Sequence, residues 1–590
     1  MTCWDWAAPM TDPKLAIVLD ATIIGTLTLR GSSPEISYSA AYRENPSSTT
    51  LSVAMPKARS THHGKIPDAW LWGLLPDNED VLHRWAKDYD ASISSPVSFL
   101  ATEIGMDCAG AVQFHRSDQG ISVDRDSHVL WIQEHDVANR LADLRRDSTT
   151  WLGQRNTGQF SLAGAQSKTA LRWEASTNQW GVPRGDEPST HILKPAVPSF
   201  DDQHINEHLC MLTANNLGLV AAKTRIASFD EEEALVVERF DRAKDECGEW
   251  VRIHQEDLCQ ARGLHPGLKY QSEGGPSASE AADVIERATG PAVAKREVQR
   301  FVDALIFNWI IAGTDAHAKN YGLLHRRSQT RLAPLYDVSS SLPYDDSKGH
   351  KVKLAMKIGG EYKIKRIGRK QWTRLATDLN LDASSVLDRC EELATDVPSA
   401  FERSQTSFEA TGHGSLMPDQ LTTLVTEAAR ARLDSLTRGN RQAMPAPARW
   451  AIVVTDPIPF VDLPHSDTLS VRMQLLVKPP DEPRFRYYQF LVARWPSFDL
   501  EANHNHGDPD FWSRVGSTAA EAARHWLRDG QPDLTKNPID AVVLRMTEVA
   551  PELRPVIADT TFEPGHIMLE WTDDANLIQR DERDLKPMHL

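Results

Sequence analysis

Three polar side chains between residues 315 and 337 have the types and spacing needed for phosphoryl transfer. Asp315 is followed five residues later by Asn320, and Asp337 lies a short way downstream, directly after Tyr336. Transfer of a phosphoryl group from ATP requires a carboxylate to accept the proton of the attacking hydroxyl, and oxygen ligands to hold Mg²⁺ against the phosphates. The spacing therefore predicts Asp315 as the catalytic base and Asn320 and Asp337 as Mg²⁺ ligands.

The same spacing is the layout of a protein-kinase catalytic loop with its metal-binding Asp. The segment follows a strongly apolar helix predicted over 301–311, and a plain connection from a helix to a loop rarely collects such ligands within seven residues. His317 and Lys319 lie in the same loop and are candidates for contact with ATP. The alternatives are a structural hydrogen-bonding role for His317 and a solvated position for Lys319.

A loop rich in small residues lies among strand-like runs and could surround phosphate groups with its backbone NH groups. It is neither a Walker motif nor the Gly-rich loop of ordinary protein kinases, and a tight turn between strands is the alternative interpretation. The candidate ATP-binding residues of this phosphate loop are Ala163, Gly164, Ala165, Gln166, Ser167 and Lys168.

Lys194 ends an apolar run, which places its ammonium group at the end of a buried strand where it needs a counter-charge. Glu207, on a helix predicted over 205–217, is the candidate partner, as in the Lys–Glu ion pair of protein kinases. A lysine that points into solvent is the alternative.

Three residues at the exit of the next strand, Glu238, Arg239 and Phe240, are candidates for the adenine-binding hinge. Backbone groups at such a position can pair with both edges of adenine, and Phe240 could form an apolar wall. The alternative is a surface turn, and only the position of the segment between the two predicted lobes favours the hinge.

The length of 590 residues exceeds what one hydrophobic core supports, so several domains are expected. Strand and helix patterns predict a small α+β subdomain over 1–145, a nucleotide-binding lobe over 146–300 and a helical catalytic lobe over 301–440. A stretch rich in Pro and small residues around 444–448 is typical of a linker, and an additional α+β domain is predicted over 450–590. In that domain, strands are predicted over 451–455, 469–477, 485–495 and 567–571, and a helix over 518–528. Earlier in the chain, a strand-like run is predicted over 51–54 and a helix over 383–393.

Composition excludes several classes of protein. The net charge of −17 argues against a broad nucleic-acid surface, and the tail contributes to it because residues 451–590 hold 14 basic and 23 acidic residues. No apolar run reaches the length of a membrane helix, no secretory signal is visible, and the six cysteines lack the close pairs of zinc or redox sites. A cytoplasmic protein is the expectation.

One cluster in the tail has metal-binding residue types: His504, His506, Asp508 and Asp510. The intervening Gly507 and Pro509 make it a loop, where His, Asn and Asp are common because of their turn preferences. The turn interpretation is therefore favoured over a metal site.

Five segments, in consistent order, resemble the HipA family of serine/threonine kinase toxins: they are Ser161 to Lys168, Thr190 to Lys194, Val237 to Arg242, Gln255 to Gln260 and Thr314 to Asn320. The amino-terminal runs Trp72 to Asp77 and Ile104 to Val112 also resemble the small leading subdomain of that family. The resemblance covers roughly residues 15–440. Residues 451–590 match nothing recognised in the family, and their strand-rich pattern is not that of a fused helix-turn-helix antitoxin.

The resemblance implies an α+β, bilobed protein-kinase-like fold that uses ATP and Mg²⁺. It implies a toxin of a type II toxin–antitoxin pair, neutralised by a helix-turn-helix antitoxin of the HipB type, so that contact with nucleic acid is indirect. It also implies a protein substrate, which in known members is an aminoacyl-tRNA synthetase. A family member phosphorylates its own loop serine, here Ser161, and about two negative charges beside the ATP phosphates would eject the loop and switch the enzyme off.

One departure from the family lies in the loop itself, where Ser167 replaces the Glu that usually precedes the loop lysine. Two other functions stay open at this point. One is a kinase-fold binding or regulatory protein with weak catalysis that acts through its tail or in complex with a repressor. The other is a small-molecule kinase, because kinase-like folds also act on sugars and amines.

Overall fold

The structure is a computed structural model. It describes residues 14–116, 127–152, 160–164, 166–196, 201–344 and 352–438, together with four strands between residues 449 and 544. The chain divides into two compact units, Met1–Gly439 and Asn440–Leu590. In the part of the chain that is described, no helix is both long and apolar enough to span a membrane.

The amino-terminal subdomain is built on a five-stranded antiparallel sheet of order β4-β3-β2-β1-β5. Its strands are β1 Leu15–Leu19, β2 Thr22–Arg30, β3 Ser33–Tyr38, β4 Thr61–His63 and β5 Gln113–Arg116. Its helices are α1 Ala40–Glu44, α2 Lys65–Trp72, α3 Glu79–Asp88 and α4 Pro96–Leu100. The strand-like run Leu51 to Ala54 is a turn instead, because the hydroxyl of Ser52 accepts a hydrogen bond from the NH of Ala54.

The second layer of the unit is a six-stranded antiparallel sheet of order β10-β11-β9-β7-β8-β6. Its strands are β6 His128–Ile132, β7 Thr169–Glu174, β8 Gln179–Arg184, β9 His191–Pro195, β10 Thr224–Phe229 and β11 Glu232–Glu238. Helices α5 Glu134–Arg146 and α6 Gln203–Asn216 accompany it. Because β6 pairs with β8 and α5 buries Val137 and Leu141 against Leu193, this lobe begins near residue 127 and not at the predicted 146.

The remaining lobe is mainly helical. Its helices are α7 Leu258–Arg262, α8 Ala278–Thr289, α9 Ala294–Ile311, α10 Arg369–Asp378, α11 Ala383–Glu409 and α12 Met417–Arg438. Its short strands are β12 Arg242–Lys244, β13 Trp250–Arg252, β14 His254–Asp257, β15 Gly322–Arg326, β16 Gln329–Leu332, β17 Lys353–Ile358 and β18 Glu361–Lys363. The predicted boundary at 300/301 falls inside α9, a continuous helix, so the lobe begins before it.

The longest helix, α11, continues beyond its predicted end at Leu393, even though Pro398 lies inside it. Proline removes one backbone hydrogen bond from a helix interior. The apolar positions Val397, Phe401 and Phe408 are nevertheless buried in the core of the helical lobe, so tertiary packing extends the helix past the proline.

The second unit contains a four-stranded sheet of order β21-β20-β19-β22. Its strands are β19 Arg449–Val454, β20 Thr468–Lys478, β21 Arg486–Pro496 and β22 Ala541–Leu544. The three strands predicted near 451–455, 469–477 and 485–495 are confirmed, and β22 was not predicted. The predicted helix 518–528, the predicted strand 567–571 and the loop holding His504 and His506 lie outside the described residues.

Candidate active site

A cleft of about 650 Å³ lies in the first unit, between the six-stranded sheet and the helical lobe. The phosphate loop, the hinge and the catalytic loop predicted from the sequence all line it, and so does Asp77 of the amino-terminal subdomain. The fold therefore brings residues separated by more than 250 positions in sequence to one cavity.

Lys194 at the end of β9 forms the ion pair predicted with Glu207 of α6, with 2.7 Å between Nζ and Oε1. The same ammonium group also contacts Oδ1 of Asp337. The Lys194 and Glu207 side chains are only 5% and 4% exposed, which rules out a solvated lysine, whereas Asp337 is 37% exposed to the cleft.

Charge and burial have opposite effects on the pKa values of the two acids in the triad of Lys194, Glu207 and Asp337. Burial raises the pKa of Glu207 to about 7, and Lys194 opposes the shift. Burial also acts to raise the pKa of Asp337, but Lys194 and Lys168 outweigh it and hold that pKa well below its usual range. The result is an ionised Asp337 next to a charged lysine, which suits a carboxylate that binds a cation.

Asn206 holds the helix of Glu207 to the segment of Asp337. It is fully buried, its amide nitrogen donates to the carbonyl of Ser340 at 2.8 Å, and its amide oxygen accepts from the NH of Ser340 at 2.9 Å. Asp337 itself has a φ of +55°. Two reciprocal hydrogen bonds thus fix the distance between the ion pair and this strained turn.

The catalytic loop starts where α9 ends. Ala312 adopts a left-handed conformation with a φ of +57°, and Gly313 follows, where a Cβ would lie 2.1 Å from Oδ1 of Asn308. The backbone carbonyl of Asp315 accepts hydrogen bonds from the amide nitrogen of Asn320 and from the NH of His317, both at 2.7 Å. These bonds hold the candidate base and a candidate metal ligand in one compact turn.

The carboxylate of Asp315 is 62% exposed at the opening of the cleft. The phenol of Tyr270 donates a hydrogen bond to its Oδ1, and Nε2 of His317 lies 3.9 Å from the same atom. The His317 ring is buried edge-on against Tyr270, with 4.9 Å between ring centres, which fits a structural role for this histidine.

Lys319 is buried, so the solvated alternative is wrong. Its Nζ lies 3.0 Å from Oδ2 of Asp257 and 3.5 Å from Oδ1 of Asp77, and its side chain is 3% exposed. Burial acts to lower its pKa, but the two carboxylates outweigh it and raise that pKa above its usual range. The two carboxylates therefore favour the charged form of Lys319 inside the cleft.

The phosphate loop wraps around a buried lysine. Nζ of Lys168 donates to the carbonyl of Ala163 at 3.0 Å and lies 4.6 Å from the centre of the Trp151 ring. Burial lowers the pKa of Lys168 to about 8, and Asp337 partly opposes this shift. The charged form of a buried lysine is stabilised when an anion binds next to it.

The other loop residues surround the same space. The Nε2 of Gln166 is buried without a hydrogen-bond partner among the described residues, and Ser167 donates to the carbonyl of Ser148 at 3.3 Å. Ala165 lies outside the described residues. An unpaired buried donor beside Lys168 fits the binding of a phosphate oxygen.

Gly164 has a φ of +111°, and a Cβ at this position would lie 2.5 Å from Nζ of Lys168. We expect Gly164→Ala to lower the affinity for Mg²⁺-ATP about tenfold, because the methyl group strains the backbone and displaces the lysine. Isothermal titration with ATP measures this effect. Gly218→Ala is the matched control, since Gly218 also has a positive φ, but a Cβ there would meet no atom within 4 Å and the residue does not line the cleft.

The hinge residues lie at the end of β11. The NH groups of Glu238 and Arg239 already donate to the carbonyls of Lys223 and Thr190, both at 2.9 Å. Phe240 packs against Tyr336 with 5.4 Å between ring centres, and both rings line the cleft. The candidate adenine contacts are therefore backbone carbonyls and the NH of Phe240.

The side chain of Arg239 is buried, and its hydrogen-bonding groups are used within the protein. It is 1% exposed and donates to both oxygens of Asp241 at 2.9 and 2.8 Å and to Ser189. With Arg242 it also surrounds the buried Asp107 of the amino-terminal subdomain. Only the backbone of Arg239 can contribute to the hinge.

Ser161 is fully buried in this conformation. Its hydroxyl donates to the carbonyl of Leu74 at 2.6 Å, and its backbone pairs with Asp107 and Ala109. The serine is thus held by the amino-terminal subdomain, at one end of the phosphate loop.

Four residues of the site were not predicted as such: they are Asp77, Asp257, Lys269 and Tyr270. Asp77 and Asp257 stand in the motifs that carry the family resemblance. Asp77 directly follows the apolar run Leu74 to Pro76, a signal that could have drawn attention to it, whereas Asp257 follows polar residues. Lys269 and Tyr270 lie in an irregular segment with no distinguishing pattern.

Comparisons with known proteins agree with this geometry. The chain matches the HipA N-terminal domain over residues 15–115 and the HipA-like C-terminal domain over residues 160–401. It is 31% identical over 401 residues to Putative kinase Y4mE of Sinorhizobium fredii, an alignment that covers 67% of this chain and 92% of the relative.

Two further matches, one to a protein sequence and one to a solved structure, come from Shewanella oneidensis. The serine/threonine-protein kinase toxin HipA of that organism is 28% identical over 354 residues, covering 56% of this chain and 75% of the relative. The solved complex of HipA, HipB and operator DNA superimposes with a TM-score of 0.59 at 24% identity, covering 72% of this chain and 97% of that chain, which shows the same fold. Together with the two domain matches, these similarities establish that the chain belongs to the HipA family of kinases.

Proposed function

We propose that the protein is an ATP- and Mg²⁺-dependent protein serine/threonine kinase that acts as the toxin of a toxin–antitoxin pair. The observation that carries the proposal is the convergence of Asp315, Asn320 and Asp337 with the Lys194–Glu207 pair around one cleft. These residue types are the parts that phosphoryl transfer uses in protein kinases, which supports the proposal.

Each residue has a defined task in this proposal. Asp315 accepts the proton of the acceptor hydroxyl, and Lys194, held by Glu207, binds phosphate oxygens of ATP. Lys168 and the backbone of the phosphate loop surround the same oxygens. Asp337 and the amide oxygen of Asn320 would hold Mg²⁺, which neutralises charge on the phosphates when bound.

The position of the base favours a protein acceptor over a small molecule. Asp315 is 62% exposed, whereas Lys194, Glu207 and Lys319 are each at most 5% exposed. A sugar or amine substrate is normally enclosed by its enzyme, because most of a small ligand's surface is buried when it binds. An exposed base instead suits a serine or threonine presented on the surface of another protein, such as an aminoacyl-tRNA synthetase.

The partner proposed for the chain is a helix-turn-helix antitoxin of the HipB type. The related Shewanella HipA is found in a complex with HipB and operator DNA, and the family match extends over both HipA domains. With a net charge of −17, contact of this chain with DNA would be indirect, through the antitoxin. A cytoplasmic location follows from this function.

Autophosphorylation of Ser161 is the proposed off-switch. The Ser161 hydroxyl must leave the carbonyl of Leu74 to reach ATP, and a phosphoserine cannot return, because the phosphate would place acceptor oxygens against an acceptor carbonyl. We expect Ser161→Ala to remove self-phosphorylation at this position and to prolong activity on a protein substrate severalfold.

Time courses with ATP test the switch, read by phosphopeptide mass spectrometry and by labelling of substrate. Ser167→Ala is the matched control, since Ser167 is the second serine of the same loop and its hydroxyl also donates to a carbonyl. Phosphate only on Ser167, or an unaltered decay of activity in Ser161→Ala, would remove Ser161 from the switch.

The kinase proposal itself is tested by inducing the full chain in cells with and without a HipB-type partner. Growth arrest that depends on Asp315 and is relieved by the partner is expected. Arrest that persists in Asp315→Asn would favour a function through binding alone.

A further inference from the structure

Four charged side chains form a network of ion pairs in the cleft. Asp77 lies 3.5 Å from Nζ of Lys319 through Oδ1 and 3.1 Å from Nζ of Lys269 through Oδ2, while Asp257 holds Lys319 at 3.0 Å. The Asp77 side chain is 10% exposed. Two carboxylates and two ammonium groups balance, so the network is neutral only as long as Asp77 is ionised.

The network keeps Asp77 charged. Burial acts to raise its pKa, but Lys319 and Lys269 outweigh burial and hold the pKa below its usual range. The backbone is fixed as well, because the next residue, Asn78, caps α3 by accepting hydrogen bonds from the NH groups of Asp80 and Val81. Asp77 is therefore a rigid anion supplied by the amino-terminal subdomain.

Asp77 contacts both loops that the reaction needs. Its backbone NH donates to the carbonyl of Gly164 in the phosphate loop at 3.1 Å. Its carboxylate holds Lys319, four residues after Asp315 in the catalytic loop. One residue thus joins the loop proposed to bind phosphates to the loop that carries the proposed base.

A second route leads from Asp77 to the base through Lys269. The backbone carbonyl of Lys269 accepts from the NH of Ala318 at 3.2 Å, and the neighbouring Tyr270 donates its phenol to Asp315. The catalytic loop is therefore held on two sides, by Lys319 and by the Lys269–Tyr270 segment, and both depend on the same carboxylate.

We propose that Asp77 is a positioning residue that makes the amino-terminal subdomain part of the catalytic centre by setting the phosphate loop against the catalytic loop. The inference rests on the proposed kinase function for its kinetic consequence. Asp77→Asn keeps the size of the side chain and the backbone contact to Gly164 but leaves two neighbouring ammonium groups with one carboxylate. Repulsion then displaces Lys319, and a misplacement of about 1 Å in a catalytic loop costs up to about 100-fold in rate.

Kinetics of the full chain provide the first test. Asp77→Asn is expected to lower kcat for phosphoryl transfer about 10- to 100-fold and to change KM for ATP less than about threefold, because the phosphate loop keeps its backbone contact. The double variant with Lys319→Met should be less impaired than the product of the two single effects, since the second change restores a balance of one carboxylate and one ammonium group. Asp303→Asn is the matched control, with a 14% exposed carboxylate paired to Arg389 at 3.1 Å and remote from the cleft.

Hydrogen exchange of the same variants separates failure of this inference from failure of the kinase proposal, because it needs no activity. Asp77→Asn should speed amide exchange in residues 314–320, and Asp303→Asn should not. Unchanged exchange in that segment, or a kcat within twofold of the wild type, would overturn the positioning role. Faster loop exchange in Asp77→Asn, together with a wild type that transfers no phosphate, would sink the kinase proposal and leave the structural link intact.

Discussion

Replacing Asp315 with Asn is expected to lower phosphoryl transfer by about 100- to 10,000-fold, the range that a general base contributes to catalysis. Asn cannot take the proton of the acceptor hydroxyl, yet it keeps the size of the side chain and can still accept the hydrogen bond of Tyr270. Affinity for ATP should stay within about twofold, because Asp315 lies at the open end of the cleft and contacts neither Lys194 nor Lys168.

Transfer from ATP to a protein substrate, measured at saturating ATP, gives kcat, and calorimetric titration gives the affinity. Tyr270→Phe serves as the control for the neighbourhood, since it removes the donor to Asp315 and leaves the carboxylate in place. A fall in ATP affinity that matches the fall in rate would indicate that Asp315 organises the nucleotide and does not act as the base.

Replacing Asp337 with Asn should lower kcat/KM by about 1000-fold, which corresponds to about 4 kcal/mol of transition-state stabilisation. The neutral amide binds Mg²⁺ more weakly than a carboxylate does, and it also leaves Lys194 with Glu207 as its remaining carboxylate partner. The fold should persist, since Asp337 is partly exposed and the buried Lys194–Glu207 pair stays neutralised.

The dependence of the rate on Mg²⁺ concentration tests this prediction specifically. Asp337→Asn should require a higher concentration of Mg²⁺ for half-maximal activity, and Mn²⁺ should restore part of the rate if the site is weakened and not destroyed. Glu207→Gln is the matched control, because it disturbs the same triad without removing a proposed metal ligand. An unaltered Mg²⁺ dependence in Asp337→Asn would place the metal elsewhere.

The residues that could be predicted from the sequence are those whose chemistry is encoded by local spacing. Asp315 and Asn320 lie in one short loop. Lys194 lies near the end of β9, and Glu207 lies in the first half of α6, the next helix in the chain. Each pair needs only one or two elements to come together, so composition and periodicity suffice. The structure places all four in the same cleft.

The remaining parts of the site depend on contacts distant in sequence. Asp77 meets Lys269 and Lys319 across about 190 and 240 residues, and nothing in the local pattern at any of the three predicts the others. The same limit applies to the fold: α5 resembles any amphipathic helix, and only its packing on the six-stranded sheet assigns it to the nucleotide-binding lobe. Burial of Lys319 could not be predicted, because a charged residue in a loop is normally exposed.

The central claim is that this chain transfers phosphate from ATP using Asp315. Its most direct test is phosphopeptide mass spectrometry of the purified full chain after incubation with Mg²⁺ and ATP, with Asp315→Asn treated in parallel. We predict phosphate on Ser161 in the wild type and none in the variant. Equal phosphorylation of both proteins, or a wild type that binds ATP and modifies neither itself nor a cellular protein, would contradict the claim.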